Sequence, residues 1–143
     1  MWLFNAVTHK LELFHDLRAI AYAILSHIWG EEEVTFKDMQ KGRHSHLKGF
    51  DKIDECCKQA LSDGFTYVWV DTCCIDKRSS AELSEAINNM YKWYHGARVC
   101  YAYLSDIATV PGVAVRDLRN ETQLDREESD RCTELTSSRW FTR

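Results

Sequence analysis

No stretch of this 143-residue chain is long and apolar enough to cross a bilayer as a helix. Basic residues are not clustered either. The 18 Lys and Arg are dispersed among 22 Asp and Glu for a net charge of −4, so the sequence lacks the patch that nucleic-acid phosphates require. A small anion is still compatible with that balance, because backbone amides at a helix N-terminus hold one without net positive charge. Met1 to Lys10 has no basic start followed by an apolar run, so it does not read as a secretory leader. The expected compartment is the cytoplasm. The cysteines, at 56, 57, 73, 74, 100 and 132, include two adjacent pairs and fall mostly inside apolar segments, unlike a disulfide framework. Reduced thiols without metal are expected, since zinc sites space their cysteines by two to four residues. Internal repeats and low-complexity tracts are absent.

What remains is an ordinary globular composition, 45% apolar and 28% charged, in a length that suits one domain with a real core. Trp2 to Phe14 alternates loosely between apolar and polar residues, with Thr8-His9-Lys10 available as a turn, which predicts a short N-terminal hairpin. Tyr22 to His27 reads as a strand followed by a turn at Trp29-Gly30. Ile53, Cys56, Cys57, Ala60 and Leu61 share one helical face from Phe50 onward, and Gly64 is the stop. Phe65 to Asp71 is β-branched and aromatic and predicts a second strand.

Ser79 and Glu82 have capping-box spacing and open a helix whose apolar stripe is Leu83, Ala86, Ile87, Met90, Tyr91 and Tyr94, ended by Gly96. Arg98 to Leu104 is the third strand, and residues 108 to 138 read as a polar loop or insertion. Strand, helix, strand, helix, strand predicts an α/β fold with a parallel sheet and right-handed crossovers. Ligands in such sheets collect beyond the carboxyl ends of the strands.

Those ends carry Ser26 to Glu31, then Asp71 to Asp76, then Ser105-Asp106. Ser26, His27, Trp29, Gly30, Asp71, Asp76 and Ser105 are the candidate ligand-binding residues, and together they offer hydroxyls, carboxylates, an imidazole and an indole. His27 reads either as a general acid or base or as a structural imidazole bonded to a neighbouring loop. Trp29 reads as a stacking platform or as core packing, and Gly30 as a backbone-geometry residue. Asp76 reads first as a cap of its own loop. Asp71 sits where a strand-end carboxylate points into a cleft, and Glu31-Glu32-Glu33 is a solvated turn whose first member is the likeliest to matter.

At these residues a family is recognisable. Tyr22-Ala23-Ile24-Leu25-Ser26-His27-Ile28-Trp29-Gly30 resembles the opening motif of the fungal heterokaryon-incompatibility (HET) domain, and Trp69 to Lys77 resembles the second. Ser84 to Tyr91 with Trp93-Tyr94 follows as in that family, and the match resumes at Ser138 to Arg143. The resemblance implies a module of nonself recognition and programmed cell death in fungi. HET domains are in turn similar to TIR-type domains, some of which cleave NAD at the glycosidic bond while others signal by homotypic assembly. It therefore implies a TIR-like or flavodoxin-like sheet, partners among its own copies or related HET and TIR-like domains, and a nucleotide-switch receptor as a further partner.

The resemblance also implies no cofactor, with NAD as candidate substrate. Family HET domains continue past this point into Gly-Trp-Thr-Leu-Gln-Glu-Leu, so the domain is expected to be incomplete at Arg143 and the Glu favoured by the TIR analogy to lie beyond it. Glu31 and Asp71 are the carboxylates left as catalytic candidates.

Overall fold

The computed structural model describes residues 1–103 and the backbone of Trp140–Thr142. Ser105, Asp106, Cys132 and the polar segment 108–138 lie outside the described residues. Two short strands, β1 (Trp2–Asn5) and β2 (Lys10–Leu13), form the expected antiparallel hairpin. Its turn passes through His9 at φ 54, and the Asn5 side chain closes it by accepting from the backbone amides of Val7 and Thr8. The Asn5 amide and the Tyr67 hydroxyl both donate to Glu12, at 2.8 and 3.0 Å, which fastens the hairpin to the strand beside it.

Three strands, β3 (Tyr22–His27), β4 (Tyr67–Val70) and β5 (Val99–Tyr103), are mutually parallel, as the strand-helix alternation predicts. The sequence predicted the hairpin but not its partner: β1 pairs antiparallel with β4, and β6 (Trp140–Thr142) pairs antiparallel with β5. The outcome is one mixed six-stranded sheet in the order β2-β1-β4-β3-β5-β6. β3, the first parallel strand in sequence, is the central one.

Successive side chains along a strand point to opposite faces, so each helix can be assigned to its side. Trp69 meets Trp93 and Tyr94 of α3 (Ser80–Gly96) at ring separations of 5.6 and 6.0 Å, and Tyr22 on the same face donates to the Trp93 carbonyl at 2.7 Å. Tyr101, on the other face, donates to Asp63 at the end of α2 (Gly49–Ser62). The two crossover helices therefore cover opposite faces. α2 ends as predicted, with Gly64 at φ 85, a left-handed conformation that a side chain resists.

Besides Leu61, which is 42% exposed and lies off the buried face of α2, two features depart from the sequence reading. Ile87 and Tyr91 are 65% and 80% exposed, so the inner stripe of α3 is Leu83, Ala86, Met90, Trp93 and Tyr94. The predicted stripe was too wide by one row, because α3 meets only one face of the sheet. A short helix, α1 (Phe36–Gln40), was also not anticipated. Thr35 and Asp38 cap it reciprocally, and it buries Phe36 and Met39 beside the hairpin. No helix among the described residues is long and apolar enough to cross a membrane.

Candidate functional site

The carboxyl ends of β3 and β4 meet because the strands pair in register, Leu25 opposite Val70. β4 and β5 flank β3 on opposite sides, which places the topological switch point at its end. There His27 Nε2 lies 3.1 Å from Asp71 Oδ1, and the Trp29 indole N–H donates to Asp71 Oδ2 at 2.9 Å. The His27 side chain is only 1% exposed, and its Nδ1 has no partner among the described residues. Trp29 stays 57% exposed, with the Lys77 ammonium 3.7 Å from its ring centroid. His27 and Trp29 thus come from the end of β3 and the residues just after it, and Lys77 from the turn after β4.

The His27 ring is bonded to Asp71, on the loop after β4. Core packing does not hold for Trp29, because the indole is pinned at its edge and open on its surface. Asp71 does not project a vacant carboxylate, since each oxygen already accepts a bond. Asp76 holds its own turn, accepting from the Arg78 backbone and pairing with its guanidinium at 2.7 Å. Ser26 sits against the Tyr94 hydroxyl on the α3 face. Glu31 is exposed at the surface. Ser105 lies outside the described residues, although β5 brings Tyr103 opposite His27 and so runs toward the same end of the sheet.

Below Trp29 lies an arrangement that sequence reasoning missed. Lys52 of α2 is 8% exposed, and its ammonium pairs with Glu33 Oε1 at 2.5 Å and donates to the Ile28 carbonyl at 3.2 Å. The same Glu33 oxygen accepts from the Gly30 amide. Glu33, rather than Glu31, is thus the member of the acidic run drawn into the fold. Gly49 completes the fit, since a Cβ there would stand 2.4 Å from the Glu32 carbonyl oxygen. One available signal was the position of Lys52, a turn before Cys56 on the apolar stripe of α2.

Burial pushes the Asp71 carboxyl upward, but its bond and charge interaction with His27, the Trp29 indole and the Lys77 charge outweigh this and hold it below the usual carboxylate range. A depressed folded-state pKa stabilises the fold above the unfolded value, and that stabilisation is lost as pH falls through the lower folded value. Melting temperatures measured between about pH 2 and 5 should fall more steeply with acid in the parent than in Asp71→Asn. Equal slopes would show that Asp71 titrates alike folded and unfolded.

Cys56, Cys57, Cys73 and Cys74 are buried and unbridged. Burial pushes the Cys57 thiol up to about 12, and contact with Cys74 together with burial raises Cys73. Such thiols carry almost no thiolate at neutral pH, which argues for packing over nucleophilic chemistry. Among the described residues, no group of three or more His, Cys, Asp or Glu side chains is disposed to hold a metal ion.

The family described as "Heterokaryon incompatibility protein (HET)" matches residues 22–143. The chain is similar to Vegetative incompatibility protein HET-E-1 of Podospora anserina, with 56% identity over 90 residues. The aligned part is 62% of this chain and 7% of that relative's length. No solved structure matches the chain.

Proposed function

Since the chain belongs to the heterokaryon incompatibility (HET) family, we propose that it is a TIR-like effector module of fungal nonself recognition, which promotes cell death by assembling with itself or with related domains. The Trp29 platform at the end of β3 is the surface that does this. One observation carries the reading: Asp71 spends both oxygens on His27 and Trp29, holding an exposed indole and the Lys77 charge in place. An indole offers a large apolar body with a polar edge, and tryptophan anchors dominate recognition surfaces. The cytoplasm is the compartment that this role requires.

Induced expression in a filamentous fungus should arrest growth, with dye uptake marking dead cells. Trp29→Ala should abolish that response while leaving the melting temperature within a few degrees, because the indole is more than half exposed. Killing by Trp29→Ala at the parent level would remove the platform from the mechanism.

The same geometry favours one other reading. An indole stacked with an ammonium at a switch point suits a nucleobase and a phosphate, the two ends of a dinucleotide such as NAD. Incubation of purified chain with NAD and analysis for nicotinamide separates the readings. Release that Glu31→Gln or Asp71→Asn abolishes would make the module a glycohydrolase, in which a carboxylate stabilises an oxocarbenium-like sugar.

A further inference from the structure

Two histidine rings close on one phenylalanine where the hairpin turn meets α2. The His9 ring centroid, at the turn, stands 5.9 Å from that of Phe50, and the His44 centroid, in the 3-10 turn His44–His46, stands 4.7 Å from it. Phe50 is buried in the first turn of α2. Its neighbours in that turn hold the loop after β3: the Gly49 amide donates to the Glu32 carbonyl at 3.0 Å, and Lys52 bonds Glu33 and the Ile28 carbonyl. We propose that His9 and His44 form an acid-sensitive clasp on the first turn of α2, closed while the rings are neutral and opened when His44 takes a proton, and that opening frees the loop carrying Trp29.

Hydrogen bonding favours the neutral state. His44 Nδ1 is buried without a partner among the described residues. A neutral imidazole can turn a bare lone pair to such a place, whereas an imidazolium carries a proton on both nitrogens and would bury one of them with nothing to accept it. The charged residues nearest in sequence are Lys10 beyond the hairpin turn, Arg43 and His46 beside His44, and Lys48 and Asp51 at the start of α2. None of them pairs with either ring among the described residues. His9 is the charge that reaches His44, and its sign is the same.

Burial first, and the His9 charge second, hold the His44 imidazole below its ordinary value of about 6.5. The opened clasp therefore takes up a proton more readily than the closed one. Closure is at full strength above the ordinary value and weakens as pH falls from there toward the lower folded value. The Asp71 carboxyl, held below the usual carboxylate range, titrates at more acid pH, so the two effects separate. The clasp stands whether or not Trp29 is the assembly surface, because what it controls is the position of the loop.

The test is amide hydrogen exchange of the intact chain at about pH 7.5 and about pH 5.5, corrected for intrinsic rates. At the lower pH the Gly30, Gly49 and Phe50 amides, which bond within the loop and the clasp, should lose protection about threefold or more, while Ile24 and Leu25 in β3 keep theirs. His44→Phe keeps a ring against Phe50 and cannot take the proton, so its protection should not change with pH. His9→Gln should lessen the loss without abolishing it, because the burial of His44 remains. Titration of the imidazole signals in the parent gives a second reading, with His44 taking its proton at lower pH than free histidine. Equal loss in parent and His44→Phe, undiminished loss in His9→Gln, no loss in the parent, loss shared by β3, or a His44 midpoint at or above the free value would each overturn the proposal.

Discussion

Lys52→Met is expected to cost about 3–5 kcal/mol of folding stability, far more than a lysine substitution usually does. The reason is what it leaves behind. Glu33 would keep a side chain only 13% exposed, with Oε2 already lacking a partner, and would lose its only cation among the described residues. An unpaired buried carboxylate costs more than the pair itself contributes, because desolvation is no longer offset. Adding Glu33→Gln to Lys52→Met should therefore restore most of the loss. Urea midpoints of the four proteins in this double-mutant cycle measure the coupling directly. A cost for Lys52→Met below about 1 kcal/mol would mean that Glu33 reaches water.

The second large effect concerns Trp69, fully buried where β4 passes under α3. Trp69→Ala should cost about 3–5 kcal/mol, because the space left between Trp93 and Tyr94 cannot collapse. For a protein whose total stability lies in the usual range of about 5–15 kcal/mol, that leaves a marginal fold. Trp69→Phe should behave differently. The indole N–H has no hydrogen-bond partner among the described residues, so the smaller ring removes a buried orphan donor while keeping an aromatic contact. Its cost should stay below about 2 kcal/mol, read as a shifted urea midpoint at unchanged slope. A Phe variant as unstable as the Ala variant would show that the packing volume, and not the donor, decides.

Local pattern revealed what local forces determine. Tyr22–His27 is a strand at the predicted bounds, and Ser79 caps α3 by accepting from the Glu82 amide. Both follow from neighbours within a few residues. The sheet order was not legible, because a period of two or of 3.6 identifies an element and says nothing of its partners. For the same reason the convergence of the β3 and β4 ends was legible from topology, whereas the bond pattern of Asp71 was not. Its two donors belong to a segment 44 and 42 residues away. Glu33 was obscured by two acidic neighbours that look equivalent in sequence. Only the placement of Lys52 on the inner side of α2 distinguishes it.

The central position of β3 sets the order of events as the chain emerges during synthesis. β1 has its sheet partner at Phe4 opposite Val68, and β3 has no sheet neighbour until β4 and β5 arrive. The hairpin closes early, since its strands are separated by a short turn. Tyr22 to Leu25, wholly apolar, must then wait unpaired while α2 and β4 are made, and each closure spans a long loop whose entropy is lost before any contact repays it. Until its partners are made, that segment is an uncovered apolar stretch of the kind that favours aggregation. That vulnerable interval narrows when β4 takes its place between the hairpin and β3, and closes when β5 pairs with the other edge of β3.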